Sequence, residues 1–150
     1  MAAQIAAAPP PGGGMMIGMA KRKLLVVDDD AALVEMLKDH FEFEGFEVFK
    51  AFDGAEAIKM TLSKKPDLIL LDINMPVMDG LEACRRLKEN EETRAIPILM
   101  LSADAQLKKK QQILAIGAAA CMTKPFTIDA LTAAVCELLP HPPVIAPIQA

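Results

Sequence analysis

Short apolar runs of strand length alternate five times with longer segments of helical period, an alternation that admits little besides a parallel sheet wrapped by crossover helices. The runs lie at about Lys23 to Val27, Phe46 to Ala51, Asp67 to Leu71, Ile96 to Leu101 and Ala119 to Thr123. The third is continuously apolar after its first residue and the fourth is similar, which predicts central strands covered on both faces. The second alternates Phe46 and Val48 with an outward Glu47, as an edge strand does. Helices are predicted over Asp30 to Glu44, Gly54 to Ser63, Gly80 to Lys88 and Ala105 to Ile116, with Gly45 and Gly117 as stops. Leu33, Met36, Leu37 and Phe41 form the apolar stripe of the first helix, and Ile128, Leu131, Val135 and Leu138 that of the last. The pattern is that of a doubly wound α/β domain, with no internal repeat.

A chain of 150 residues builds one well-packed core and is too short for two ordinary domains. Ala, Pro and Gly dominate residues 1–20 and prolines punctuate residues 140–150, so both ends are expected to be flexible and the folded domain to span 21–139. No apolar run approaches the roughly 20 residues a bilayer requires, and no basic segment precedes an apolar core at the start, so neither a membrane span nor a secretory signal is expected. Cys84, Cys121 and Cys136 are odd in number and lack CxxC spacing, which argues against a disulfide framework or structural zinc and fits a reducing cytoplasm. A net charge of −4, with no basic cluster larger than Lys108 to Lys110, gives no electrostatic footprint for direct nucleic-acid binding.

Ligands of such sheets bind outside the carboxyl ends of the strands, so the residues following each apolar run carry the chemistry. They are Asp28, Asp29 and Asp30 after the first, Asp72 and Asn74 after the third, Ser102 after the fourth and Lys124 after the fifth. Carboxylates converging at one edge repel one another unless a cation sits among them, and oxygen ligands without nearby histidine or thiolate favour Mg²⁺. A carboxylate there can act as a nucleophile and form an acyl phosphate, while a lysine and a hydroxyl supply charge and hydrogen bonds to phosphoryl oxygens.

The blocks KLLVVDDD, PDLILLDINMPVMDG, IPILMLSAD and TKPF, in this order, resemble the four signature blocks of the response-regulator receiver family over about Lys21 to Leu139. The resemblance implies the CheY-like, flavodoxin-like form of the fold, a five-stranded parallel sheet in the order 2-1-3-4-5 with five helices. It implies that Asp72 is the phosphoacceptor, that Asp29 and Asp72 bind Mg²⁺ directly, that Asn74 ligates through its backbone carbonyl, and that Asp28 acts through a water. Ser102 matches the switch hydroxyl and Lys124 the phosphate-contacting lysine, whose bond to Pro125 is cis in this family. Asn74 and Asp104, each two residues beyond a site residue, would tune hydrolysis of the acyl phosphate. Cys121 stands where an aromatic switch residue usually sits. The implied phosphodonor is a sensor histidine kinase or histidine phosphotransfer protein, and the implied output is a protein bound by the fourth helix, fifth strand and fifth helix.

Taken alone, each residue has a plainer reading: Asp30 as an N-cap, Lys108 to Lys110 as a solvated face, His40 as a partly buried packing residue, His141 as incidental. A haloacid-dehalogenase phosphatase would need a second Asp where Asn74 stands, and a flavodoxin would need a Ser, Thr and Gly-rich loop where the three aspartates stand. A degenerate receiver acting only by binding is disfavoured, because every acceptor and metal position is filled. Ala130, Ala133, Ala134 and Cys136 give the last helix an uncharged flank without the arginines of the dimerising DNA-binding branch, which predicts a monomer or a protein-binding output.

Overall fold

The computed structural model describes residues 21–75, 77–103 and 107–139. The head and tail expected to be flexible lie outside them, as do Pro76 and Asp104. The elements run β1 (Lys23–Val27), α1 (Ala31–Phe43), β2 (Glu47–Ala51), α2 (Gly54–Lys64), β3 (Leu68–Asp72), α3 (Gly80–Glu89), β4 (Ile98–Ser102), α4 (Leu107–Ile116), β5 (Ala120–Thr123) and α5 (Ile128–Leu138). All strand pairs are parallel, in the order β2-β1-β3-β4-β5. As the continuous apolar runs imply, β3 and β4 are buried along their whole length, while β2, with Glu47 exposed, is an edge.

Alternation along each strand divides the core between the two faces of the sheet. Leu24, Val26, Leu68, Leu70, Leu99 and Leu101 pack with Val34, Leu37 and Phe41 of α1 and Leu131 and Val135 of α5. Leu25, Val27, Ile69, Leu71, Ile98 and Met100 pack with Ala57 of α2, Ala83, Cys84 and Leu87 of α3, and Ile113 of α4. Met36 does not belong to the buried stripe of α1: it is 50% exposed, and Val34 takes its place in the core. The 3.6-residue period puts 34, 37 and 41 on one line, whereas 36 falls on the shoulder of the helix. Ala134, read as part of an open flank, packs partly against the core, while Ala130, Ala133 and Cys136 are exposed.

Four helices start just beyond strand ends on side-chain caps that satisfy otherwise unpaired amides. Asp30 accepts from the Ala32 and Leu33 amides at 3.1 and 3.2 Å, Asp79 from Glu82 at 2.9 Å and Thr127 from Ala130 at 3.0 Å. Asp53 accepts from the Glu56 amide at 2.8 Å while the Glu56 carboxylate accepts from the Phe52 amide at 2.8 Å, a reciprocal cap for α2. At the far end of α1, Gly45 takes φ +104° and the Phe46 amide returns to the Phe41 carbonyl at 2.9 Å, turning the chain into β2. His40 is partly buried, and its Nε2 lies 2.8 Å from Thr132 Oγ1. The Thr132 hydroxyl spends its single proton on the Ile128 carbonyl at 2.7 Å, so His40 Nε2 is the donor that ties α1 to α5.

Among the described glycines, Gly80 leaves the least room for a side chain. A Cβ there would collide with the backbone carbonyl oxygen of Asp72, and the Gly80 amide donates to the Ile73 carbonyl at 2.8 Å. The start of α3 therefore rests directly on the end of β3. Gly45 differs, since a Cβ there meets open space and only its positive φ resists substitution. Gly80→Ala should cost about 3 kcal/mol or more, because backbone must shift, against about 1 kcal/mol for Gly45→Ala. Urea unfolding of both variants checks this, and equal losses would contradict the close packing of α3 on β3.

Candidate acidic site at the carboxyl edge of the sheet

The register of the sheet assembles the site. Val27 pairs with Leu71, so Asp28, the next residue of the first segment, lies beside Asp72, the last residue of β3. Asp72 pairs with Leu101 and Ser102 with Thr123, which carries the same edge across to Lys124 just after β5. Sequence reasoning placed Asp72 and Ser102 just beyond their strands; both are the final strand residues, held by ladder hydrogen bonds and therefore fixed more firmly than loop residues. Asp28, Asp72 and Ser102 are buried, with 2%, 4% and 1% of their surface exposed, whereas Asp29 and Asn74 are exposed.

One carboxylate oxygen from each of Asp28, Asp29 and Asp72 falls within a 4.8 Å cluster. Lys124 Nζ stands opposite, 2.8 Å from Asp28 Oδ2 and 3.1 Å from Asp72 Oδ1. Asp28 Oδ1 accepts from the Asp30 amide at 2.9 Å, which fixes the carboxylate as α1 begins. The Lys124 amide donates to the Ser102 carbonyl at 2.7 Å, and the Lys124–Pro125 peptide is cis, as the resemblance implies. Burial pushes the Asp72 carboxyl up, the neighbouring charge of Asp28 pushes it further, and Lys124 only partly opposes them. For Lys124, burial acts downward, but the carboxylates of Asp28 and Asp72 outweigh it and raise the ammonium above its usual range.

Oxygen donors alone surround the cluster, and three carboxylates against one ammonium leave two negative charges uncompensated when all are ionised. That donor set and charge fit a hard divalent cation that keeps part of its water, with exposed Asp29 as the open side. Beside the cluster, Leu33, Met36, Ala103, Pro125 and Phe126 line a shallow apolar depression with Asp30 and Lys124 at its rim. This depression escaped sequence reasoning, which counted Met36 and Leu33 as core. Its signal was present in TKPF and in a methionine one step off the stripe of α1. Cys121 is half-buried on β5, on the face shared with Thr123 and Met100. Burial pushes its thiol up, while the charge of Lys110 pulls the other way. Asp104 lies outside the described residues.

Because the folded protein holds the Asp72 proton more tightly than the ordinary carboxyl value of 3.8, ionising Asp72 penalises the fold. The penalty is absent below that ordinary value and develops as pH rises through the raised folded value. Without divalent cations, Asp72→Asn should therefore melt higher than the parent near neutral pH, with the gap closing on acidification. Thermal melts across pH, without divalent cations, check this; a variant less stable at neutral pH and equal in acid would reverse the sign.

A family model of the response regulator receiver domain matches residues 24–136. The chain is 38% identical over 108 residues to the DNA-binding dual master transcriptional regulator RpaA of Synechocystis, covering 72% of this chain and 45% of that protein. It is 40% identical over 116 residues to the alkaline phosphatase synthesis transcriptional regulatory protein PhoP of Bacillus subtilis, covering 77% and 48%. It thus spans about half the length of the curated relatives it matches. Among solved structures, chemotaxis response regulator CheY4 of Vibrio cholerae superposes with a TM-score of 0.76 at 33% identity, over 80% of this chain and 100% of that one. Among the described residues no helix is long and apolar enough to cross a membrane. With this match laid over the acidic edge, the chain belongs to the response regulator receiver domain family, the phosphoacceptor signalling domains of two-component systems.

Proposed function

We propose that Asp72 accepts a phosphoryl group from the phosphohistidine of a sensor histidine kinase or histidine phosphotransfer protein. The observation that carries this reading is Asp72 itself, buried at a strand end, with Lys124 Nζ at 3.1 Å and two further carboxylates clustered beside it. Asp29 and Asp72 would hold Mg²⁺ directly, Asn74 through its backbone carbonyl, and Asp28 through a water. When bound, that ion supplies the positive charge that lets an anionic nucleophile meet an anionic phosphoryl group.

The residues of the chain supply the rest. An Asp72 carboxylate oxygen attacks phosphorus in line, the new O–P bond forms as the P–N bond to the donor imidazole breaks, and that nitrogen recovers its electron pair and takes a proton. The raised proton affinity of Asp72 accompanies greater basicity of the attacking carboxylate. Lys124 exchanges its contact with Asp72 for a phosphoryl oxygen as charge moves outward. Ser102, at the end of β4, donates its hydroxyl to another. The depression formed by Leu33, Met36, Pro125 and Phe126 gives the donor an apolar footing beside the acceptor.

Asn74 and Asp104 tune the lifetime of the acyl phosphate by flanking the path of water. Output leaves through α4, β5 and α5 to a partner protein. Cys121, without a ring, leaves active and inactive packings closer in energy than an aromatic would, so the shift in population on phosphorylation is modest. A protein of this kind works in the cytoplasm, where its donor and Mg²⁺ are both present.

Labelling with acetyl phosphate tests the reading. The parent should take up label only with Mg²⁺, Asp72→Asn should lose uptake entirely, and Lys124→Ala should slow it by about a hundredfold; undiminished uptake by Asp72→Asn would refute the assignment. Hydrogen exchange with and without beryllofluoride tests the switch. Cys121→Tyr should enlarge the change over α4, and identical responses of variant and parent would remove this position from the output path.

A further inference from the structure

We propose that Lys88 is an acylation site: its amine takes an acyl group from a small activated donor, an acyl phosphate or an acyl thioester, and the modification unlatches α3 from the turn ahead of β4. Lys88 stands half-buried in the last turn of α3, by the amino ends of the strands and away from the acidic edge. Its Nζ donates to the Ile96 carbonyl at 2.7 Å and to the Arg94 carbonyl at 3.0 Å. Its stem passes Gly117 at the end of α4, where a Cβ would come within 3.0 Å of Lys88 Cγ, so the glycine leaves the space the lysine uses. Beside it the Thr93 hydroxyl donates to the Leu87 carbonyl at 2.6 Å, and two side chains thus hold the 90–96 turn to α3.

This setting favours the neutral amine. Lys38, Lys50, Lys65 and Lys124 face carboxylates, which hold a lysine as ammonium. The polar partners of Lys88 are backbone carbonyls, and among the described residues no ion pair engages it. Burial pushes its ammonium below the usual lysine range, against the charge of Cys84 one turn back. A neutral amine has two N–H bonds and one lone pair. With both N–H bonds directed at Ile96 and Arg94, the lone pair is left free, and partial exposure gives a small donor access to it. The lone pair attacks the acyl carbon, and an N–C bond forms as the C–O bond to phosphate or the C–S bond to the thiol breaks. The leaving group departs with the electron pair, and Nζ loses one proton to solvent. The resulting amide keeps a single N–H, so one of the two carbonyls loses its partner, and the last turn of α3 loses a charge that suits its dipole.

Acetyl phosphate and acetyl-CoA, each without Mg²⁺, are the two donors, and peptide mass spectrometry reads the occupancy of every lysine over an early time course. Lys59, exposed on α2, is the reference for access alone. In the folded protein Lys88 should acetylate severalfold faster than Lys59 with at least one donor, and the faster arm names the donor class. In urea, which removes the turn, the two lysines should react at equal rates. Lys88 no faster than Lys59 with either donor, or a preference that survives in urea, would overturn the proposal. Variants read the consequence. Lys88→Gln, neutral like the acylated side chain, should melt below the parent and exchange the Thr93, Arg94 and Ile96 amides faster, whereas Lys88→Arg, which keeps charge and several donors, should stay near the parent. A Lys88→Gln protein that melts and exchanges like the parent would overturn the unlatching.

Discussion

The ammonium of Lys124, wedged between the carboxylates of Asp28 and Asp72, is the contact on which the architecture converges. Two buried carboxylates and a third at the surface would repel at this separation, and burial makes the repulsion costlier than in water. Lys124 offsets part of that cost. It arrives from the far edge strand, 96 residues along the chain from Asp28, so the pair forms only when β1, β3, β4 and β5 are in register. The residual negative charge favours an added cation, which in turn would offset the repulsion between the cluster and an anionic phosphoryl group.

The rest of the fold keeps this edge rigid. Both layers of helices press on a sheet whose two central strands are wholly buried, and Asp72 and Ser102 end those strands. Gly80 lets α3 approach the carbonyl of Asp72 more closely than any side chain would permit. The β3–α3 loop bends sharply to allow it, with Val77 at φ +69° and 85% exposed, an uncommon conformation for a β-branched residue. The His40 to Thr132 contact ties α1 to α5 behind the site, so the helices flanking the apolar depression are linked.

The five strands and the acidic edge were legible because both rest on signals the chain repeats, apolar runs of fixed length and polar residues at their ends, whereas the strand order followed only from the family resemblance. Asp30 was readable as a cap because side-chain capping is local chemistry. Features built by pairing distant segments were not readable. The depression beside Lys124 needs α1 and the β5–α5 loop together. The exposure of Met36 differs, since the 3.6-residue period that lines up 34, 37 and 41 already puts 36 on the shoulder of α1. The closure of α2 by Lys65 at φ +51°, without the glycine that ends α1 and α4, carried no compositional mark.

Which carboxylate takes the phosphoryl group decides whether the edge works as described. The most direct measurement treats the protein with acetyl phosphate and Mg²⁺, reduces it with borohydride, and sequences the peptides by mass spectrometry. An acyl phosphate becomes an alcohol on reduction, so the carboxyl that carried it reads as homoserine. Conversion confined to position 72 is the expected result; conversion at position 28 or 29, or none with Mg²⁺ present, would contradict it.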